Sequence, residues 1–291
     1  PHTFFQAEDG IRDNIPSLVG SEMCIRDRDK AEQFFSKGWC AFETDPAVMS
    51  WVEFALPAAR TTLADPAQEQ WTRYQGTWFA GVNALPNDAS GRLPHGPRLA
   101  GKAFDFIASE LGLPRFNWDR AQVSICYPRY PQPMEGETEG QHNYRRNRDA
   151  AHVDGLRGIG QPRRRFLEEG HAFVLGIPMV EASPDASPFV IWEGSHEIMR
   201  RAFMSVLDNM PPADWAKVDL TDIYQQARKH CFDECRRVAI HARPGETYLA
   251  HRLSLHGVAP WSETASAGPD GRMICYFRPE LPDRAAWLSL P

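Results

Sequence analysis

The spacing of apolar residues divides the chain into two parts. In the first part, apolar positions recur at helical spacing, and the segment 45–65 offers Asp45 as an N-cap with Pro46 in the first turn. The predicted helices are 29–38, 45–65 and 99–111, and the third ends at Gly112 and Pro114. This part of the chain is therefore expected to be mainly helical.

Beyond residue 120 the pattern is typical of short strands, with β-branched and aromatic runs bounded by Pro, Gly and Asp. The predicted strands are 121–128, 171–182, 187–195, 236–242, 247–257 and 272–280, with an inserted helix at 214–232. Because strands and helices do not alternate regularly, an antiparallel sandwich or barrel is favoured. We predict one mainly β domain over 29–291, with flanking helices.

The first 28 residues are treated separately because they resemble translated sequencing-adapter sequence. QAEDGIRD (6–13) is the translation of a sequence that looks like a common library adapter, and MCIRDR (23–28) is similar to the translation of a transposase adapter end. We expect this segment to be non-native and exclude it from the fold prediction. It also lacks the apolar core of a signal peptide.

Composition then narrows the class of protein. With 42% hydrophobic residues, the chain can bury a substantial core, and its net charge of −6 argues against a nucleic-acid binder. No apolar run approaches the roughly 18 residues of a membrane span. Six cysteines without a C-x-x-C pair favour reduced thiols in a cytoplasmic protein over disulfides or structural zinc.

The candidate chemistry begins in RDAAHVDGLRG (148–158). His152 and Asp154 are two residues apart, so in a strand both side chains would point to the same face. A second histidine would complete a facial triad of the kind that binds Fe(II) and leaves coordination positions open. The alternative is that both are ordinary polar side chains on a loop.

His256 is the best-placed third ligand. It follows a Pro-Gly turn and lies at the end of the strand predicted in RPGETYLAHRLSLHG (243–257), just before a loop. His251 would lie on the opposite face of that strand, and His196 is more simply a loop histidine bonded to the backbone. The remaining candidates are read as partly buried or surface histidines: His171, His230 and His241.

Arg272 begins the last predicted strand. A buried arginine can hold a planar carboxylate through two parallel hydrogen bonds, which lysine cannot do. The alternative is a surface salt bridge, and for Arg278 that alternative is the preferred interpretation.

These motifs resemble, in their order, the phytanoyl-CoA dioxygenase-like branch of the iron(II)/2-oxoglutarate-dependent oxygenases. The order is H-x-D, then FVIWEGSH (189–196), then His256, then Arg272. The resemblance covers roughly 30–280, with specific motifs confined to 148–278. The loop before Arg272 is longer than in the family.

The resemblance implies a double-stranded β-helix core, which is a jelly-roll, cupin-like barrel. It also implies Fe(II) held by His152, Asp154 and His256, and 2-oxoglutarate held at its distal carboxylate by Arg272. Ile274 stands where related enzymes often have a hydroxyl, so a second carboxylate partner is not identified. Gln122 is a candidate contact to the cosubstrate or substrate, because it shares with Ser124 a strand face expected to look into the barrel.

The implied function is a dioxygenase that consumes O2 and 2-oxoglutarate, hydroxylates a small molecule and releases succinate and CO2. Relatives that halogenate lack the carboxylate that Asp154 provides, so a hydroxylase is expected rather than a halogenase. Two alternatives stay open: a cupin-like metal enzyme that does not use 2-oxoglutarate, and a non-catalytic jelly-roll binding module.

Basic residues concentrate around the H-x-D segment: Arg145, Arg146, Arg148, Arg157, Arg163, Arg164 and Arg165. They form either an entrance that attracts an anionic substrate or an ordinary solvated loop face. Tyr127, Tyr130 and Tyr144 flank the same region and are candidate pocket residues.

Overall fold

The computed structural model describes residues 28–290. The adapter-like segment assigned to 1–28 therefore lies, except for its last residue, outside the described residues. The helices are α1 (28–37), α2 (Pro46–Ala64), α3 (Lys102–Ser109), α4 (Glu139–Asn147), α5 (Ser195–Leu207), α6 (Thr221–Glu234) and α7 (Ala286–Ser289). Within 28–290, none of these helices combines the length and apolar character needed to cross a membrane.

The strands form three antiparallel sheets. They are β1 (Trp39–Phe42), β2 (Thr72–Arg73), β3 (Trp78–Phe79), β4 (Gln122–Cys126), β5 (Leu156–Ile159), β6 (Arg164–Leu167), β7 (Phe173–Pro178), β8 (Phe189–Trp192), β9 (Arg237–Ile240), β10 (Thr247–His251), β11 (His256–Val258) and β12 (Arg272–Phe277). The large sheet has the order β1-β10-β7-β12-β4-β3-β2, the small sheet has β11-β8-β9, and β5-β6 form a hairpin. The predicted mainly antiparallel architecture with flanking helices is confirmed.

Alternating side chains give the large sheet two buried faces. Val174, Ala250 and Ile274 belong to an inner cluster shared with Phe189 of the small sheet, so the two sheets pack face to face. Their strand neighbours, such as Leu175, Leu249 and Cys275, belong to a second cluster that packs against the helices. A polar side chain on the inner face of a strand is therefore enclosed between the sheets.

One carboxylate organises the helical part of the chain. Asp45 caps α2 by accepting the amide hydrogen of Ala47 at 2.9 Å, and its other oxygen accepts that of Lys102, the first residue of α3, also at 2.9 Å. The predicted N-cap is thus confirmed, with a second helix start attached to it.

The prediction of a single strand over 247–257 is wrong. β10 ends at His251 in the large sheet, the chain turns, and β11 begins at His256 in the small sheet. The turn is held by tertiary contacts, in which Ser195 Oγ accepts the Leu255 amide at 2.9 Å and the Arg252 guanidinium donates to Trp287 O at 2.8 Å. Neither contact is visible in the local sequence pattern.

Other elements were not predicted from the sequence, namely β1, β2, β3, α4, α5, α7 and the β5-β6 hairpin. The helix expected at 214–232 is split. A 3₁₀ helix covers Pro212–Lys217 and α6 follows at Thr221–Glu234. The five cysteines of the described part, Cys40, Cys126, Cys231, Cys235 and Cys275, are free thiols, as expected.

Candidate metal centre

The candidate centre is built where two distant segments pair through their backbones. The His152 amide donates to His256 O at 2.8 Å, and the His256 amide donates to His152 O at 3.0 Å. This reciprocal pair is the hydrogen-bonded unit of an antiparallel ladder, which places opposed side chains side by side. The imidazole ring centroids of His152 and His256 are consequently 4.7 Å apart.

Asp154 completes the cluster. Its Oδ1 lies 3.1 Å from His152 Nε2, and its Oδ2 lies 3.5 Å from His256 Nε2. One donor atom from each of the three side chains lies within 4.8 Å of the others, so the group can hold a metal ion. Metal–ligand bonds of about 2.1 Å at right angles put neighbouring donor atoms about 3 Å apart, and both nitrogen–oxygen separations are close to this distance.

Backbone carbonyls orient both imidazoles. His152 Nδ1 lies 3.0 Å from Ala150 O, and His256 Nδ1 lies 2.9 Å from Ser254 O. A carbonyl can only accept, so we assign the hydrogen to Nδ1 in each ring, which leaves the lone pair of Nε2 available. The two available nitrogens converge on the same carboxylate. The donor set therefore suits a divalent transition metal.

The centre is buried on one side and open on the other. The side chains of His256 and Asp154 are only 4% and 8% exposed, whereas that of His152 is 45% exposed. Phe189 stacks on the His256 ring at a centroid distance of 5.2 Å and fixes its position from inside the fold. A small molecule can thus approach the centre from the His152 side.

Arg278 is not the surface salt bridge that we expected. It lies on the inner face of the large sheet just beyond β12, and its Nη1 is 3.6 Å from Asp154 Oδ2. Burial raises the pKa of Asp154, but Arg278 and His256 outweigh it and hold that pKa well below its ordinary value. The surface salt-bridge interpretation was wrong. The alternation of side chains along β12 indicates the face on which Arg278 lies, but not that the distant Asp154 would be opposite it.

Asp149 anchors the loop that carries the H-x-D pair, and sequence reasoning did not single it out. Its carboxylate accepts two hydrogen bonds from Arg237 of β9, at 2.7 and 2.9 Å. Asp149 and Ala150 both adopt positive φ, at 54° and 52°, which is costly for residues with side chains. These two residues lie in the loop just before His152, separated from it by Ala151, and their strained backbone indicates a constrained functional loop.

Arg272 lies deep between the two sheets, with 6% exposure. Its Nη2 donates to the Tyr276 hydroxyl at 3.1 Å, and Tyr248 donates to the same hydroxyl at 2.9 Å. Its Nη1 is buried and has no hydrogen-bond partner within 28–290, and neither does the nearby hydroxyl of Ser187. No carboxylate of the described residues pairs with this guanidinium, although a buried charge without a partner is costly.

Gln122 occupies the inner face, as expected. It is opposite Tyr276 in the register of β4 and β12, and Ser124 is opposite Ile274, so all four side chains share one face of the large sheet. Gln122 is buried, whereas the Ser124 hydroxyl accepts a hydrogen bond from Trp78 Nε1 at 3.0 Å.

The other histidines are not part of the triad. His251 is buried, and its Nδ1 accepts the Leu253 amide at 3.0 Å, while His196 is buried in α5 and bonds Phe35 O at 2.9 Å. His251 lies away from the triad because the chain turns after β10, and not because it alternates with His256 along one continuous strand as expected. His171 is buried beside Arg278, and His230 and His241 are exposed.

The basic residues around the H-x-D segment are largely engaged with other side chains. Arg145 pairs with Glu137, Arg157 with Glu168 at 2.5 Å, and Arg164 with Asp219 at 2.5 Å. Arg148 and Arg165 lie over the aromatic rings of Phe232 and Tyr224. These contacts favour the solvated-face interpretation over an anion-attracting entrance. Of the tyrosines, Tyr130 is buried, and Tyr144 donates to Ala151 O at 2.6 Å.

Comparison with known proteins gives a structural likeness only. No protein-family model and no curated protein matches the chain. Among solved structures, the chain is similar to the non-heme alpha-ketoglutarate-dependent carbocyclase SnoK from nogalamycin biosynthesis, with 12% identity and a TM-score of 0.51 over 87% of this chain and 83% of that one. At this identity the likeness is evidence for the fold alone.

Two further solved structures are more distant. The alpha-ketoglutarate-dependent epimerase SnoN from nogalamycin biosynthesis matches at 13% identity and a TM-score of 0.47, covering 88% of this chain and 84% of that one. EctD from S. alaskensis, solved with 2-oxoglutarate and 5-hydroxyectoine, matches at 17% identity and a TM-score of 0.44, covering 87% and 75%. TM-scores below 0.5 carry no argument about this chain.

Proposed function

We propose that this chain is an Fe(II)- and 2-oxoglutarate-dependent dioxygenase that hydroxylates a small molecule. The observation that carries the proposal is the convergence of His152 Nε2, His256 Nε2 and an oxygen of Asp154, with both Nδ1 atoms held by backbone carbonyls. Two neutral imidazoles and one carboxylate on one face of a metal leave the opposite face for a chelating cosubstrate and O2.

Arg272 would hold the distal carboxylate of 2-oxoglutarate. A carboxylate placed against this guanidinium would give the unpartnered Nη1 its acceptor and would neutralise the buried charge. The cosubstrate would extend between the two sheets, from the triad at the open end towards β12's first residue. Gln122, on the same inner face, is the further polar side chain proposed along this path.

Tyr276 is the proposed second partner of that carboxylate. Its hydroxyl oxygen accepts hydrogen bonds from both Arg272 and Tyr248, so its own hydrogen is not used in either bond. That hydrogen can be donated to a carboxylate oxygen beside Arg272. A tyrosine four residues along the strand would thus do what the missing hydroxyl at Ile274 does not.

When bound, Fe(II) supplies the oxidation of a C–H bond by O2, coupled to conversion of 2-oxoglutarate into succinate and CO2. The chain's own residues hold the metal through the triad, neutralise the cosubstrate through Arg272 and restrict water through the packing of Phe189 over His256. Because Asp154 occupies the position that a halide needs in halogenating relatives, we propose hydroxylation.

The finer family assignment is part of the same proposal. Two antiparallel sheets packed face to face are compatible with the double-stranded β-helix, or jelly-roll, of the phytanoyl-CoA dioxygenase-like branch. We also propose that residues 29–291 act as one domain. The free thiols suit a reducing, cytoplasmic location.

Anaerobic titration tests the proposal. Fe(II) and 2-oxoglutarate added together should give the weak visible absorption of their chelate on the protein, and Asp154→Ala should lose both this absorption and substrate-independent succinate formation. Metal binding without any effect of 2-oxoglutarate would favour the cupin-like enzyme. No metal binding at all would favour the non-catalytic binding module.

A further inference from the structure

A cavity of about 640 Å³ lies at the end of the large sheet where β4 and β7 begin and β12 ends. The side chains that matter here are Phe116, Trp118, Asp119, Glu169, His171 and Arg278. Its volume lies within the range of small-molecule sites, roughly 300–1,000 Å³. It is thus large enough for an organic substrate.

The cavity is one side chain away from the candidate metal centre. Arg278 lines the cavity and also contacts Asp154 Oδ2 at 3.6 Å. His171, on the same wall, lies 2.8 Å from Arg278 O through its Nδ1. A Cβ added at Gly155 would meet Glu169 O at 2.1 Å, so the loop behind the H-x-D pair packs directly on this wall. A molecule in the cavity would therefore be separated from Asp154 by the Arg278 side chain.

The buried positive groups of the wall each lie beside a carboxylate, which argues against an anionic occupant. The charge of Arg278 faces Asp154, and His171 Nε2 lies 3.1 Å from Glu169 Oε2. Arg115, at the exposed rim, is balanced in formal charge by Glu280. A phosphate or carboxylate entering the cavity would meet Arg278, whose Nε is buried without a hydrogen-bond partner within 28–290, only beside the negative charge of Asp154.

Asp119 is a partly buried carboxylate of the wall with binding capacity left. Its Oδ1 accepts the backbone amide of Arg278 at 2.9 Å, and its second oxygen has no hydrogen bond or ion pair within 28–290. The neighbouring Trp118 and Phe116 bring aromatic rings to the same cavity, with centroids 4.6 Å apart. A partly buried carboxylate beside aromatic rings is the combination that recognises organic ammonium groups.

We propose that this cavity binds the substrate of the oxygenase and that this substrate carries an ammonium group, which Asp119 pairs with and Trp118 contacts. That the ligand is a substrate rests on the proposed function. That the ligand carries an ammonium group rests on the cavity alone. It replaces the hypothesis of an anionic substrate drawn to the arginines of 145–165.

The ionisation of Asp119 agrees with this assignment. Burial raises the pKa of Asp119 to about 6, and the backbone hydrogen bond and charge of Arg278 oppose this rise only in part. A carboxylate that is partly desolvated without its own cation is a typical feature of a binding site. An ammonium partner would lower this pKa.

Calorimetry with three indole probes tests the ligand class on protein kept metal-free with EDTA at pH 7.5. Tryptamine carries an ammonium, tryptophol is neutral and indole-3-propionate is an anion, while the ring is the same in all three. We expect tryptamine to bind at least about 10-fold more tightly than either of the others, which is the effect of one charge-assisted hydrogen bond.

Asp119→Asn should remove this preference, because an amide keeps an acceptor for the Arg278 amide but has no charge. The matched control is Asp105→Asn, an exposed carboxylate of α3, which should leave all three affinities unchanged. If Asp119→Asn does not fold, the ranking of the probes on the native chain decides the question.

Tighter binding of indole-3-propionate, no binding of any probe, or an unchanged preference in Asp119→Asn would each overturn the inference. Because no metal is present, none of these outcomes bears on the Fe(II) and 2-oxoglutarate titration. A failed titration with a positive tryptamine result would leave an ammonium-binding cavity in a protein with another activity.

Discussion

Arg272→Met should stabilise the ligand-free protein and at the same time weaken 2-oxoglutarate binding. Methionine keeps the length and the apolar contacts of the arginine stem but removes the buried guanidinium. Among residues 28–290, that guanidinium donates one hydrogen bond, to Tyr276, and its Nη1 has no partner. The substitution therefore removes an uncompensated charge from between the sheets.

The size of both effects follows from this environment. An unsatisfied buried donor costs about 1–3 kcal/mol, and for a chain of this size 1 kcal/mol corresponds to roughly 2 °C. The melting temperature of the metal-free variant should thus rise by about 2–6 °C. Removing one partner of a buried ion pair costs about 3–5 kcal/mol, so 2-oxoglutarate affinity should fall by roughly 10²- to 10⁴-fold.

Thermal unfolding in EDTA and anaerobic titration of 2-oxoglutarate onto the Fe(II)-loaded protein measure the two effects. Arg278→Met is the matched control, because it lies on the same strand face but pairs with Asp154, so its metal-free form should melt at a lower temperature. A lower melting temperature for Arg272→Met, or 2-oxoglutarate affinity within about threefold of the native chain, would refute the assignment of this guanidinium as a carboxylate site.

Three further predictions concern the surroundings of the centre. The pKa of Asp119 is about 6 in the folded protein against an ordinary 3.8, so the unfolding free energy falls as the pH rises between these values. Asp119→Asn should remove this fall. Melting curves of both proteins at pH 4 and pH 7.5 measure the difference. Gly257→Ala should weaken metal binding, because the new Cβ would lie 2.1 Å from Asp149 O, next to His256. Gly268→Ala has open space around it and should have no effect on metal binding. Equal metal affinities of the two variants in calorimetry would contradict this prediction. Arg237→Met should cost about 1–2 kcal/mol of unfolding free energy by leaving the buried carboxylate of Asp149 without its partner; denaturant curves identical to those of the native chain would show that the loop is held by other contacts.

Much of the fold could be predicted because local spacing reports burial. In the strands predicted at 121–128, 171–182 and 272–280, apolar residues occupy both faces, and all three became buried strands of the large sheet. The N-cap at Asp45 was likewise a local signal. The start of α5 has no such signal, because its N-cap is Gly194 with no side-chain hydrogen bond.

The candidate triad could be proposed from sequence because spacing two residues apart limits His152 and Asp154 to a few relative positions. His256 was selected as the third ligand on the assumption that it and His251 belong to one strand. The structure instead places them in two strands of different sheets. The role of Arg278 was missed because its partner is 124 positions away in the chain, and no local pattern encodes that contact.

By itself, the sequence determined several of the helices and strands, such as those in 45–65, 121–128 and 272–280, because these depend on near neighbours along the chain. It also determined which residue types are available for chemistry. Only the tertiary structure decided that His152 and His256 share a backbone pair, that Arg272 Nη1 has no hydrogen-bond partner among the described residues and that Asp119 faces a cavity. These are properties of contacts between distant segments. Their energies depend on burial and distance, and neither is defined until the sheets have packed.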